Sequence, residues 1–348
     1  MTKIKIGVIL GGMSTEHDVS IISGNSVIKN LDKNKYDIFP IFLDKKGIWY
    51  SYKYEEKAFN FGEVISNKKK IDNIEKYLKQ LDVVFPVLHG LYGEDGTIQG
   101  LLELFKIPYV GTKVLSSAIC MDKVYSKFIF EKAKIKQANW IYLKKFKEKY
   151  IIVDEKMNEE KNLLENIVRK VTEKIKFPMF VKPSNSGSSV GINKAKNIDE
   201  LKEAINYASS FDRKILIEES VVGKEIECAV LGNEKVKASC LGEVISAEEF
   251  YNYNAKYKNS ASQTIIPAKI SKELAEKVKE IAIKAYKAVD ATGLSRVDFF
   301  VNVENEDIYI NEINTMPGFT SISMYPKLWE KSGIKYNNLL DELVKLAM

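Results

Sequence analysis

The chain has 348 residues and a net charge of +6, and 45% of its residues are hydrophobic and 29% charged. These values are typical of a globular protein of two or three domains and exclude a low-complexity or collagen-like chain. No apolar run approaches the ~20 residues of a membrane span, no signal peptide is recognisable, and three widely spaced cysteines do not form a disulfide framework. We therefore expect a cytoplasmic protein that does not associate with membranes.

The positive charge comes almost entirely from lysine, since Arg169, Arg213 and Arg296 are the only arginines. The lysines are interleaved with acids, and the densest clusters, at 68–70 and 144–149, are predicted to lie in hydrophilic connecting stretches. This pattern favours a solvated surface over a nucleic-acid-binding stripe, and no zinc-finger, RRM or basic-zipper motif accompanies it. We expect no nucleic-acid partner.

The first 111 residues alternate between strand and helix patterns. The patterns predict strands over 5–10, 37–43, 82–88 and 108–111, and helices over 16–31 and 96–105. Such alternation predicts a parallel, Rossmann-like sheet. Ligands bind these sheets beyond the carboxyl ends of the strands, which is where the pairs Gly11-Gly12 and His89-Gly90 fall.

The pattern changes after residue 111. A helix over 116–133 and a lysine-rich stretch precede a strand over 177–182, a loop of small residues over 184–191, a helix over 198–209 and a strand over 214–218. Strands then follow over 225–231 and 237–245, with a tyrosine-rich polar loop over 246–267, a long helix over 271–290, and strands over 295–303 and 308–313. A long aromatic-containing loop in a compact domain is typical of a functional lid.

The last two predicted strands carry the strongest functional signal. Because side chains alternate between faces, Arg296 and Asp298 share one face of the first strand, and Glu312 and Asn314 share one face of the second. A hairpin turn at 304–307 would place Asp298 about opposite Glu312. Oxygen ligands of this kind suit Mg²⁺, and an arginine offers a planar fork for phosphate or an oxyanion. The alternative is the polar outer face of a half-exposed hairpin.

The segment from Lys182 to Gly191 carries the second signal. A strand that ends in lysine, followed by small residues, suits phosphate because backbone N–H groups, hydroxyls and a cation converge there. The segment contains no P-loop motif. Residues 187–191 match the hydrolase pattern G-x-S-x-G, but that fold requires a histidine after the serine, and both His17 and His89 precede it. A flexible surface loop is the structural alternative.

Three further segments are weaker signals. The acids at 217–225 could simply be solvated, and Glu16 could serve only to complement the dipole of the helix that follows it. Residues 316–324 follow the acidic strand directly and would place backbone N–H groups near the proposed metal.

Taken together, these residues resemble the D-alanine–D-alanine ligases of the ATP-grasp superfamily. The similar segments run in order along the whole chain: 11–20, 88–100, 121–123, 182–191, 255–257, 296–298 and 312–323. The resemblance implies an α/β (α+β) ATP-grasp fold preceded by a Rossmann-like N-terminal domain over 1–111. A central lobe would span 112–222, and a C-terminal lobe over 223–348 would carry the lid at 246–267 and the metal site.

The resemblance also implies ATP-dependent ligation of two D-alanine molecules through D-alanyl phosphate, giving ADP and phosphate, for peptidoglycan synthesis. It implies that ATP is bound by Lys123, Lys182, Glu218, Glu219, Val221 and Glu225. It implies two Mg²⁺ ions, with Mn²⁺ as an alternative, held by Asp298, Glu312 and Asn314. Like its relatives, the protein would be a homodimer.

For the substrates, the resemblance implies that Glu16 takes the ammonium of the first D-alanine and that Ser188 and Tyr257 link to Glu16. Arg296 and the N–H of Gly318 would stabilise the oxyanion. The second D-alanine's carboxylate would be held by Lys256, Ser323 and the N–H of Met324, and His89 would lie near the substrate.

Two residues bear on the choice of second substrate. Tyr257 is absent from relatives that make D-alanyl-D-lactate, and Met324 stands where the vancomycin-resistance ligases carry arginine. Both favour D-alanine over D-serine or D-lactate. Two alternatives stay open, namely an ATP-grasp ligase that joins another carboxylate and amine, and a non-catalytic binding protein with a Rossmann-like lobe.

Overall fold

The computed structural model describes residues 2–54, 62, 65–154, 157–245 and 263–348. The strands are β1 (Ile4–Gly11), β2 (Tyr36–Leu43), β3 (Trp49–Tyr52), β4 (Lys68–Lys70), β5 (Val83–Pro86), β6 (Trp140–Phe146), β7 (Lys149–Val153), β8 (Glu159–Asn162), β9 (Met179–Pro183), β10 (Asn193–Ala195), β11 (Lys214–Glu219), β12 (Lys224–Leu231), β13 (Lys237–Ile245), β14 (Gln263–Ile265), β15 (Leu294–Asn302) and β16 (Asp307–Asn314). The helices are α1 (His17–Asn30), α2 (Ile74–Leu78), α3 (Thr97–Phe105), α4 (Val114–Met121), α5 (Lys123–Lys132), α6 (Leu164–Lys174), α7 (Ile198–Ala208), α8 (Lys272–Ala288), α9 (Met324–Lys331) and α10 (Tyr336–Ala347). Among the helices of these residues, none combines the length and the apolar character needed to cross a bilayer.

The first sheet has the order β4-β3-β2-β1-β5, with β1 parallel to both of its neighbours. The strand expected at 108–111 forms only a single bridge, between Val84 and Tyr109. Pro108 has no N–H to extend the ladder, so pairing is limited to hydrogen bonds around Val84. The lysines at 68–70, expected in a connecting stretch, instead form the edge strand β4, where positive charge discourages further strand pairing.

The second sheet is antiparallel, in the order β10-β9-β11-β6-β7-β8, and packs its apolar face on α6 and α7. The lysine cluster at 144–149 lies on the hairpin of β6 and β7, so it too belongs to a sheet. The helix expected over 116–133 is two helices. Asp122 separates them because its extended backbone ends α4, while its carboxylate accepts hydrogen bonds from the first N–H groups of α5.

The third sheet is antiparallel, in the order β14-β13-β12-β15-β16, and packs against α8. Residues 246–262 of the predicted lid lie outside the described residues. Residues 263–265, also assigned to the lid, form β14 and pair with β13, so the end of that segment is part of the sheet.

The C-terminal helices join the third sheet to the first. Side chains of β1, α1, β12, α9 and α10 form one hydrophobic cluster, in which Leu339, Leu340 and Leu343 of α10 are almost completely buried. Lys35 also forms an ion pair with Asp341 of α10. The strands of each sheet fall within one of the ranges 1–111, 112–222 and 223–348. The domain boundaries themselves stay a prediction.

Candidate active site

A cavity of about 500 Å³ lies where the three sheets meet. Of the predicted site residues, those that line it are Glu16, His89, Lys123, Lys182, Ser188, Glu218, Glu219, Val221, Glu225, Arg296, Asp298, Glu312, Asn314, Gly318, Ser323 and Met324. Lys256 and Tyr257 lie outside the described residues. Residues far apart in the sequence are thus brought to one cleft.

The hairpin of β15 and β16 has the predicted register. Asp298 pairs with Glu312 and Arg296 with Asn314, which places all four side chains on one face. Arg296 donates to both oxygens of Asp298, each at 2.7 Å, and Asn314 Nδ2 donates to Asp298 Oδ2 at 2.9 Å. The face is therefore an organised polar cluster rather than a solvated surface.

Glu227 on β12 belongs to the same cluster and was missed. It pairs in register with Asp298, and its Oε2 lies 3.0 Å from Arg296 Nε. Burial opposes the charge of Arg296, but Asp298 and Glu227 outweigh it and raise the pKa of the guanidinium. The sequence signal that could have identified Glu227 is its position within an apolar strand, between the buried residues Ile226 and Cys228.

The donor set on the hairpin fits Mg²⁺. In the described part of the chain, no group of three or more His, Cys, Asp or Glu side chains could hold a metal ion. A cation on this face would therefore use the two carboxylates of Asp298 and Glu312, the amide oxygen of Asn314, and oxygens from a substrate phosphate. Mg²⁺ is bound in this manner, with few carboxylates plus phosphate.

A second charged cluster lies between β9, β11 and α5. Glu218 forms ion pairs with Lys182 through Oε1 and with Lys127 through Oε2, the latter at 2.9 Å. Burial raises the pKa of this carboxyl, but the two lysines outweigh burial and lower it to about 2. Lys127 was missed because it is one lysine among many on an amphipathic helix, with no local feature to mark it as buried.

The loop of small residues is anchored to the start of α5. Ser184 Oγ donates to Asp122 Oδ1 at 2.6 Å, and Lys214 forms an ion pair with the other oxygen of the same carboxylate. Lys123 Nζ donates to the carbonyl of Ser186 at 2.6 Å. These bonds hold the loop and Lys123 at one wall of the cavity.

Glu16 lies at the junction of the first sheet and this loop. Although it precedes α1, its side chain makes no capping hydrogen bond. A Cβ at Gly187 would lie 2.4 Å from Glu16 Oε1, and one at Gly90 would lie 2.9 Å from the same atom. Only glycine at these two positions leaves room for the carboxylate.

Glu94 is a further, half-buried acid beside Glu16 that was not predicted as a site residue. Its carboxylate accepts hydrogen bonds from Gly90 N at 2.7 Å and from Met316 N at 3.2 Å, so it joins loops of the first and third sheets. Burial, followed by the nearby charge of Glu16, raises its pKa to about 8. It lies within the similar segment 88–100, but no local pattern distinguished it from a solvated acid.

The segment that follows β16 folds back over the cavity. Ser323 Oγ accepts a hydrogen bond from Thr320 N at 3.0 Å and lies close to Gly318, where a Cβ would be 2.6 Å away. His89 contacts the start of this segment, since its Nδ1 lies 3.0 Å from the carbonyl oxygen of Met316.

Known proteins share this arrangement. Residues 5–112 match the family model for the D-ala D-ala ligase N-terminus, and residues 130–345 match that for the D-ala D-ala ligase C-terminus. The chain belongs to the D-alanine–D-alanine ligase family.

Individual relatives of this family are similar over their full length. The chain is 50% identical to the D-alanine–D-alanine ligase of Clostridium acetobutylicum, over 99% of this chain and 98% of the relative. Among solved structures, the VanG D-Ala:D-Ser ligase from Enterococcus faecalis is 36% identical, with a TM-score of 0.86 and complete coverage of both chains. The ATP complex of the Bacillus anthracis D-alanine–D-alanine ligase is 33% identical, with a TM-score of 0.76, covering 99% of this chain and 97% of that one.

These similarities confirm the predicted ATP-grasp fold and enzyme class. Members of the family form D-alanyl-D-alanine with ATP for cell-wall synthesis, and the chain is an ATP-dependent ligase of this kind. The alternative of a non-catalytic binding protein is thereby excluded.

Proposed function

We propose that the chain joins two D-alanine molecules through D-alanyl phosphate, using the residues of the cavity in the roles given below. One observation carries the proposal: the Arg296, Asp298, Glu312 and Asn314 cluster faces the same cavity as the small-residue loop and Glu16. An oxyanion site, a cation site, a phosphate site and an ammonium site therefore lie within reach of one substrate pair.

Lys123, Lys182 and the loop over 184–191 would hold the ATP phosphates. Their position in the lining of the cavity that also contains the acidic hairpin supports this role. The link between β11 and β12 would hold the base and ribose through Glu218, Glu219, Val221 and Glu225, all of which line the cavity. Ionised Glu218 offers only acceptors, which suits the amino group of adenine.

Asp298, Glu312 and Asn314 would hold two Mg²⁺ ions, or Mn²⁺, which when bound neutralise charge on the transferring phosphoryl group. Asp298 already accepts three hydrogen bonds. These hydrogen bonds fix the orientation of the Asp298 carboxylate, which lines the cavity.

The first D-alanine would be bound with its ammonium on Glu16 and with His89 nearby. Its carboxylate is a poor acyl donor, so it takes the γ-phosphoryl group of ATP and releases ADP. The amine of the second D-alanine then attacks the acyl phosphate, the new C–N bond forms, and phosphate leaves. Arg296 and the N–H of Gly318 would stabilise the oxyanion of the tetrahedral intermediate.

The second D-alanine would be bound through its carboxylate by Lys256, Ser323 and the N–H of Met324. Ser188 and Tyr257 would link to Glu16 and close the lid at 246–267, which would protect the acyl phosphate from water. Ser188, Ser323 and Met324 line the cavity, which supports their part in the proposal.

D-Serine is the second candidate for the attacking substrate, because the VanG relative is a D-Ala:D-Ser ligase. We favour D-alanine. Met324 is an apolar side chain at the cavity wall, and an apolar pocket gains little from the extra hydroxyl of D-serine.

We further propose that the protein is a cytoplasmic homodimer that binds D-alanine and ATP and binds neither nucleic acid nor membranes. Its three domains would span 1–111, 112–222 and 223–348.

Product analysis tests the proposal directly. The full chain, ATP and Mg²⁺ are incubated with D-alanine alone, then with D-alanine plus D-serine or D-lactate, and both phosphate and ligated product are measured. We expect D-alanyl-D-alanine as the main product, loss of phosphate release with EDTA, and recovery with Mg²⁺ or Mn²⁺. An excess of the product that joins D-alanine to D-serine or D-lactate would contradict the assignment of the second substrate. Full activity in EDTA would contradict the assignment of the metal.

A further inference from the structure

Both ring nitrogens of His89 are already engaged within the protein. Nδ1 lies 3.0 Å from the carbonyl oxygen of Met316, and Nε2 lies 2.8 Å from Oγ of Ser23 on α1. The same Ser23 Oγ accepts a hydrogen bond from the N–H of Phe319 at 3.2 Å. His89 is 4% exposed and Ser23 is fully buried, so water does not compete for these contacts.

The partners fix where the ring proton lies. A carbonyl oxygen only accepts, so Nδ1 must carry a proton to approach Met316 at hydrogen-bonding distance. Ser23 Oγ accepts from Phe319, and its own proton is free to be donated to Nε2. The contacts therefore define a directed chain from the N–H of Phe319 through Ser23 and His89 to the carbonyl of Met316. In this chain His89 is the neutral Nδ1–H tautomer.

The doubly protonated ring is the remaining alternative, and the surroundings oppose it. Burial lowers the pKa of His89 to about 4, and it outweighs the hydrogen bond to Met316, which raises the pKa; the positive charge of Arg296 adds a smaller lowering. In the imidazolium, Nε2 would carry a proton and could no longer accept the hydrogen bond from the Ser23 hydroxyl.

The segment that this chain holds includes Gly318. Met316 and Phe319 are separated only by Pro317 and Gly318, so the Ser23–His89 pair binds the carbonyl at one end of a four-residue segment and the N–H at the other. The N–H of Gly318 is the proposed oxyanion donor, and an oxyanion donor is effective only when its position is fixed before the reaction.

We propose that His89 is a positioning residue. As the neutral Nδ1–H tautomer it acts with Ser23 to hold residues 316–319, and it does not exchange a proton with substrate. The role in catalysis rests on the proposed function of Gly318, whereas the tautomer does not.

The tautomer is measurable in the unsubstituted protein. The chain contains two histidines, His17 and His89, so long-range ¹H–¹⁵N correlation spectra of the full chain labelled with ¹⁵N-histidine contain two ring systems. A His17→Gln variant assigns them. We expect a protonated Nδ1 and an unprotonated Nε2 for His89, unchanged between pH 6 and pH 8 and on addition of D-alanine. An Nε2–H tautomer, an imidazolium, or a change in protonation on adding D-alanine would overturn the proposal.

Substitution of Ser23 tests the positioning role, with Ser20 as a matched control. Ser20 is also on α1 and fully buried, and it likewise bridges two backbone groups, accepting from Gly11 N and donating to the carbonyl of Val87. Ser23→Ala should lower kcat roughly tenfold, the rate equivalent of one buried hydrogen bond, and leave KM for ATP within about twofold. Ser20→Ala should keep kcat within about twofold.

A folded Ser23→Ala protein with unchanged kcat would overturn the positioning role. If neither serine variant folds, the histidine spectrum of the unsubstituted protein still decides the tautomer. Loss of ligase activity in every preparation would instead contradict the proposed function, because the spectrum does not depend on turnover.

Discussion

Arg296 and Asp298 lie two residues apart on one face of β15, and two parallel hydrogen bonds of 2.7 Å join the guanidinium to the carboxylate. Both partners of such a pair are held in one plane, which an ammonium cannot reproduce. Glu227 and Asn314 contact the same pair, so the orientation of Arg296 toward the cavity is set by three elements of the third sheet.

Arg296→Lys should therefore lower kcat by at least ~100-fold, as expected for the loss of an oxyanion donor, even though the charge is kept. Steady-state phosphate release with saturating ATP and D-alanine measures the effect. Arg169→Lys is the matched control, because Arg169 is an exposed residue of α6 that pairs with Glu173 across one helical turn. Near wild-type turnover of Arg296→Lys would contradict the oxyanion role.

Gly187→Ala should impair D-alanine binding without unfolding the protein. The added Cβ would lie 2.4 Å from Glu16 Oε1, which is the end of a flexible side chain, so the carboxylate moves rather than the backbone. A displaced ammonium site should lower kcat/KM for D-alanine by ~10–100-fold. Gly100→Ala on α3 is the control, since a Cβ there meets no atom within 4 Å. Equal kinetics for both variants would show that Glu16 is not constrained by Gly187.

Lys127→Met should destabilise the protein by about 3 kcal/mol, because it leaves the buried Glu218 with Lys182 as its remaining lysine partner. Urea unfolding at pH 7 measures the change, with the exposed Lys132→Met on the same helix as control. The low pKa of Glu218 stabilises the fold above the ordinary carboxyl pKa, and this stabilisation is lost as pH falls toward 2. Lys127→Met should move that loss to higher pH. Equal stability losses in the two variants would contradict the pairing.

Glu94 should make the folded state less stable as pH rises. Its pKa is raised from 4.5 to about 8, so the folded state holds a proton that the unfolded chain releases. The stabilisation is complete below pH 4.5 and is lost as pH rises to 8, with a slope of at most about 1.4 kcal/mol per pH unit. Glu94→Gln should flatten the free energy of unfolding between pH 5 and pH 8, and the exposed Glu131→Gln should not. Identical slopes in Glu94→Gln and the unsubstituted protein would rule out a protonated Glu94.

The hairpin register could be predicted from sequence because it depends only on alternation and on a short turn. The residues that distant segments contribute to the site could not be predicted in this way. Tertiary packing brings Glu227 and Glu94 to the cavity and places Lys127 against Glu218. The apolar neighbours of Glu227 were its only local signal, and the residues around Lys127 and Glu94 do not distinguish a buried charge from a solvated one. Each contacts a partner that lies more than 60 residues away in the sequence.

The strands β6, β7 and β8 were missed for a related reason. Tyr150 and Ile152 face one hydrophobic cluster, whereas Ile151 and Val153 belong to another on the opposite face, so β7 shows no alternation of apolar and polar residues. Lysines at the end of β6 and the wholly polar β8 obscure the pattern on either side. The break at Asp122 was missed because the flanking residues have good helix propensity, and only the side-chain cap reveals the boundary.

The packing of α10 on β5 and α1 has a consequence for how separate parts of the chain depend on one another. The strands of the Rossmann-like sheet end at Pro86, whereas the leucines that cover part of this sheet lie on α10, which begins at Tyr336. Removal of α10 would therefore expose apolar side chains of the first sheet to water, so damage to this distant helix would also destabilise the Rossmann-like unit.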